Sequence, residues 1–235
     1  MDGTAMVVAA AAAFVGTHFL LSHPLRAPIV RAVGLRGFMG IYSLVALATL
    51  VWLALAYRAA PFTAPLWPVG EGIWGPVTLV MLVASILLMG SLIGNPALPD
   101  PGGKAASAAA PATARGVFAV TRHPMMWGFA LWGLCHIAVF PIAANIVLAG
   151  SIVILALGGA ALQDRKKEAL TPELWRDWEA KTSYWPFAAI AAGRARFGGF
   201  RPHDIAGGVI IWLVATWAHL PLAGVAAGMW RWIHP

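Results

Sequence analysis

The stretch Ile73-Trp-Gly-Pro-Val-Thr-Leu-Val-Met-Leu-Val-Ala-Ser-Ile-Leu-Leu-Met-Gly-Ser-Leu-Ile-Gly94 carries no charged residue. A bilayer hydrocarbon core of roughly 30 Å asks a helix for about 20 apolar residues, and this run supplies them. Residues 5–22, 38–57, 125–140, 141–163 and 205–230 also reach or approach that length without a charge. Hydrophobic residues make up 60% of the 235-residue chain and charged ones 11%, so hydrocarbon is the implied solvent. The expectation is an all-α fold, a polytopic membrane helical bundle of about six transmembrane helices in a single integral membrane domain over residues 1–235.

The net charge of +7 is not a nucleic-acid signal, because the basic residues are interleaved with the apolar stretches and form no continuous face. If all six stretches span, Arg26, Arg31 and Arg36, then Lys104, Arg115 and Arg122, then the basic residues from Arg165 to Arg201 share one side. That is 14 of the 16, with Arg58 and Arg231 opposite. The positive-inside rule then places the basic loops in the cytoplasm and both termini outside. The first stretch has no basic residue before it and ends in Leu-Ser-His-Pro, so it is expected to be a retained helix and not a cleaved signal.

Prolines 61, 65 and 68 and the run Asn95-Pro-Ala-Leu-Pro-Asp-Pro-Gly-Gly103 mark loops, and 95–114 is the clearest linker. Spans four and five meet at Pro141 with almost no polar residue between them, which predicts a tight helical hairpin or one short helix. In the polar stretch 164–204, Leu174, Trp175 and Trp178 fall on one helical face, expected to lie along the cytoplasmic membrane surface. Cys135 is the sole cysteine, so an intrachain disulfide and a thiolate cluster are excluded.

The spans contain no Asp, Glu, Lys or Arg, which leaves histidine to carry chemistry. His18, His136 and His219 lie in apolar helices, while His23 and His123 stand at cytoplasmic helix ends. Neutral imidazole ligates transition metals and haem iron, and a helical bundle can hold a flat macrocycle between facing helices. A histidine hydrogen-bonded to a neighbouring helix is the plainer alternative. Axial ligands of one iron must share a depth. At about 1.5 Å per residue, His136 and His219 lie roughly 18 and 21 Å from the inner ends of their spans, and His18 only about 6 Å from its own. Depth alone pairs His136 with His219 and His18 with His123.

The segment Arg115-Gly-Val-Phe-Ala-Val-Thr-Arg-His-Pro-Met-Met-Trp-Gly-Phe-Ala-Leu-Trp-Gly-Leu-Cys-His136 resembles the central motif of the NnrU family. His18-Phe-Leu-Leu-Ser-His-Pro-Leu-Arg26, Gly37-Phe-Met-Gly-Ile-Tyr-Ser43 and Asn95-Pro96 fit other parts of its pattern. Together they cover about 10–165, with 205–230 as an extra C-terminal helix beyond the shared core. After His136 the chain has Ile-Ala-Val-Phe-Pro141 where the family often has an Asn-Gly turn. The resemblance implies a multi-pass protein of the bacterial inner membrane, in which the positive-inside reading puts both termini in the periplasm. It also implies haem b, because relatives of the family are 15-cis-zeta-carotene isomerases that carry it. The axial iron ligands implied are His18 and His136, with Arg122 and His123 shaping the adjoining cofactor site. The implied activities are cis-trans isomerisation of a lipid-soluble polyene, or a role in nitrite and nitric oxide reduction with a redox partner.

Arg122-His-Pro-Met-Met-Trp-Gly128, Glu168 and Trp175-Arg-Asp-Trp-Glu179 are more loosely similar to isoprenylcysteine-type membrane methyltransferases. On that alternative, Arg122, His123 and Glu168 would hold S-adenosylmethionine. The single Glu168 and the Met125-Met126 pair depart from that pattern, and a shared architecture does not fix the chemistry. A structural subunit with packed histidines is the third reading, and Arg122 also suits a positive-inside anchor.

Overall fold

A computed structural model describes residues 3–98 and 111–233. Lys104, the middle of the 95–114 linker and His234 lie outside the described residues. Helix α1 spans Gly3–Ser22, α2 Arg26–Ala59 and, after a single 3-10 turn, α3 Trp74–Gly90. The short α4, Val117–Val120, precedes α5, Pro124–Val139, and α6, Ala143–Leu170. Then come α7, Pro172–Lys181, α8, Ala188–Ala191, α9, Pro202–Ala223, and α10, Trp230–Ile233. Among the described residues, five helices are long and apolar enough to cross a membrane, and α5 is a shorter apolar helix of 16 residues.

The helices pack side by side in the order α2, α1, α6, α5, α3, α9. Small residues bring α5 close to both neighbours: a Cβ on Gly128 would stand 2.8 Å from the Ala84 carbonyl oxygen, and one on Gly133 2.8 Å from that of Ala149. The hairpin expected at Pro141 is present and tight. Asn145 closes it, donating from Nδ2 to the carbonyls of His136 at 2.9 Å and Phe140 at 2.7 Å.

Three elements differ from the sequence expectation. The Arg26–Arg36 segment is helical, and Gly34, at φ 73°, bends α2 between this basic arm and the span. Helix α9 stops at Ala223, where Gly224 takes the left-handed conformation, and Trp230 folds back to donate to Thr216 Oγ1 at 3.2 Å. The apolar face of α7 is covered by protein instead of membrane: Trp175 and Trp178 are fully buried against Ile86, Leu87, Val117, Phe118 and Val120.

Charge is segregated along the bundle axis. Arg26 and Lys166 face one another at the end formed by the α1–α2 turn, and Arg122, Lys181, Arg194 and Arg201 make their contacts around the same basic end. At the opposite end Arg231 pairs with Glu71 at 2.7 Å and covers the Trp74 ring.

Candidate functional site

A cavity of about 650 Å³ lies between α1, α2, α3, α5 and α6. Its middle is apolar, walled by residues such as Leu50, Met81, Trp132 and Leu155, while Ser22, His23, Gln163 and Lys166 line the basic end. His18 is the imidazole within the apolar part. Its Nδ1 donates to the Phe14 carbonyl at 2.6 Å, and its ring packs edge-on to Phe14 and to Tyr42 at 5.4 Å between centroids. A carbonyl only accepts, so this contact fixes the proton on Nδ1 and leaves the lone pair on Nε2. Nε2 makes no hydrogen bond among the described residues. The early His18 and the Tyr42 of the Gly37–Ser43 motif thus meet at one wall.

His136 and His219 are set in the same way, donating from Nδ1 to the carbonyls of Trp132 and Ala215, each at 2.7 Å. Their rings face one another at 6.1 Å and 32°. His136 also stacks on Trp132 at 4.2 Å, and Trp132 lines the cavity, whereas His136 is not among its lining residues. The structure brings His136 to His219, and it sets His18 against Phe14 and Tyr42.

Arg122 and His123 belong to a separate constellation at the basic end. Arg122 donates from Nε and Nη2 to the Asp164 carboxylate, at 2.9 and 2.6 Å to Oδ2, and its Nη2 lies 3.1 Å from Glu179 Oε1. His123 Nε2 donates to Asp164 Oδ1 at 2.7 Å and is buried. Pro124 at the first helical position starts α5 here, and the loop 182–187 completes the corner, with Arg122 N donating to the Ser183 carbonyl at 2.8 Å. Burial and the nearby Asp164 and Glu168 push the Glu179 carboxyl up, against the pull of Arg122. Sequence reasoning had placed Asp164 only at the start of a polar run. Its signal was positional, as the first acid after a span. Of the residues a methyl-donor site would draw on, Arg122 and His123 are engaged by Asp164, and Glu168 is exposed.

Gly116, in the motif's Arg-Gly pair, has φ 59°, and a Cβ there would stand 2.4 Å from Asp204 Oδ2. Glycine is required on both grounds.

Among the described residues no three His, Cys, Asp or Glu side chains are grouped to hold a metal ion. A macrocycle that brings its own four nitrogens needs only one or two imidazoles, and a Nδ1-anchored histidine on an apolar wall is of that kind.

Fold and site together define a multi-pass helical membrane protein built around an apolar chamber with an imidazole on its wall. The chain belongs to the NnrU family, whose model, described as NnrU protein, matches residues 6–227. That match runs past the 10–165 of the motif resemblance and takes in α9 and His219. No curated protein and no solved structure matches the chain.

Proposed function

We propose that this NnrU-family chain binds haem b in the chamber between α1, α2, α3, α5 and α6, with His18 and His136 as the residues that would hold its iron. The observation that carries the reading is the Nε2 lone pair of His18 on the wall of a cavity of about 650 Å³. That volume is within the range of about 300–1,000 Å³ usual for cofactor sites. The chamber suits an amphiphilic macrocycle at both ends. Aromatic and aliphatic side chains would flank the ring, Lys166 would pair with its carboxylates at the basic end, and neutral His23 would donate a hydrogen bond to them. His136 stacks on Trp132, which lines the chamber, so His136 would reach the bound group only with a change of the Trp132 rotamer.

The activity this favours is cis-trans isomerisation of a lipid-soluble polyene. Bound haem iron would supply an electron-rich centre that lowers the barrier to rotation about a conjugated double bond. The chain's own part is to hold His18 through Phe14 and Tyr42, to exclude water with the apolar wall, and to admit an apolar molecule laterally. Helices α2 and α3 both line the chamber without packing extensively on each other, so an apolar molecule would enter between them. Among the described residues, no carboxylate lines the middle of the chamber, as suits a rearrangement with no net proton transfer. Nitric oxide binding in a denitrification role would use the same iron without needing the apolar volume.

The His136–His219 contact favours a second reading of the ligand set, in which His219 replaces His18. Haem content tests the shared claim. Protein purified from haem-replete cells should give about one haem b per chain by pyridine haemochrome, and absence of haem there would overturn it.

A further inference from the structure

A second concavity, of about 600 Å³, lies at the basic end and is distinct from the chamber of His18. Arg115, Lys181, Arg194, Arg196 and Arg201 line it, together with glycines of the 193–199 loop. Two of these cations are balanced: Arg201 pairs with Asp204 at 2.9 Å and Lys181 with Asp177 at 2.8 Å. The other three have no carboxylate partner among the described residues. Arg194 Nη1 donates to the carbonyls of Glu179, Ala180 and Thr182, Arg115 Nε donates to Thr113 Oγ1, and Arg196 makes no hydrogen bond among the described residues. Neutral acceptors orient a guanidinium but leave its charge in place. Three such groups around one hollow repel one another, and an anion seated among them removes that repulsion. Planar guanidinium forks match phosphate oxygens two at a time. Phe197 is exposed and meets edge-on the ring of Phe200, which lines the concavity beside the point where α9 enters the bundle. An apolar ring next to clustered arginines is the arrangement of a membrane-interface site.

We propose that this concavity binds a phosphate-bearing anion through Arg115, Arg194 and Arg196. The chemistry is shared by an anionic phospholipid headgroup and by a soluble phosphate, and the experiment separates them. Full-length protein in a neutral detergent is titrated with dihexanoyl phosphatidylglycerol, with dihexanoyl phosphatidylcholine, and with inorganic pyrophosphate, following phosphorus NMR line widths. The wild type should broaden phosphatidylglycerol or pyrophosphate and leave phosphatidylcholine sharp. Broadening of phosphatidylglycerol alone assigns the site to lipid, and broadening of pyrophosphate to a soluble anion. Arg115→Gln with Arg196→Gln should weaken the binding by about tenfold or more, as expected for losing a charge-assisted hydrogen bond. Arg58→Gln, at the opposite end, should leave it unchanged. Equal binding by the double variant, or no broadening of either anion by the wild type, overturns the proposal.

Discussion

His123 donates from Nε2 to Asp164 Oδ1 at 2.7 Å, in a buried contact that ties the start of α5 to the basic end of α6. The same carboxylate takes three bonds from the Nε and Nη2 of Arg122, so one acid holds both residues of the Arg-His pair. Removing one member of a buried pair leaves the other charge uncompensated, which costs about 3–5 kcal/mol. Asp164→Asn should therefore lower the unfolding temperature in detergent sharply. Glu179→Gln, which touches Arg122 from a more exposed position, should cost at most about 1 kcal/mol. Equal effects of the two would show that Asp164 is not the keystone of the corner.

Trp178 and Trp185 test what covers α7 and its loop. Trp178 is 1% exposed and Trp185 62%. Trp178→Ala should destabilise by about 3–5 kcal/mol, as for other buried aromatics. Trp185→Ala should change thermal stability by no more than about 0.5 kcal/mol. Comparable small shifts would mean that the α7 face is covered by lipid and not by the protein.

Gly116→Ala meets both a left-handed backbone and the Asp204 carboxylate. A loss of about 1–3 kcal/mol in stability is expected. Gly150→Ala, where a Cβ would meet nothing within 4 Å, is the matched helical control and should be neutral or slightly stabilising. A thermal melt in which both variants track the wild type would remove the steric argument.

Burial first, and then the positive charge of Lys166, hold the His23 imidazole below its ordinary value. The fold favours neutral His23, so its contribution is full above the unfolded pKa of about 6.5 and is lost as pH falls through that value toward the lower folded one. His23→Asn should accordingly narrow the difference in unfolding temperature between pH 7 and pH 5. An unchanged difference would place the acid sensitivity elsewhere.

The spans, the hairpin at Pro141 and the segregation of charge were legible because bilayer thickness and the positive-inside rule act on composition and length. The fate of α7 was not, because period-3.6 spacing of Leu174, Trp175 and Trp178 shows that a face is apolar and not what covers it. Asp164 was missed because a carboxylate's partner 41 positions away leaves no local pattern. Depth counting puts His136 and His219 at similar heights, and their rings stand 6.1 Å apart, since rise per residue converts directly into height. It failed to place His123 beside His18, because the Arg122-His123 pair turns toward Asp164. The NnrU-like motifs all lie before residue 165, while the family match continues to residue 227 and takes in α7, α9 and His219.

The central claim is that His18 holds a haem in the chamber. Its most direct test is the Soret absorbance, per mole of chain, of wild type and of the His18→Ala, His136→Ala and His219→Ala variants, oxidised and dithionite-reduced. The account predicts a Soret band in the wild type that is lost or strongly shifted in His18→Ala and His136→Ala and kept in His219→Ala. A band kept in His18→Ala but lost in His219→Ala would contradict it and hand the site to the His136–His219 pair.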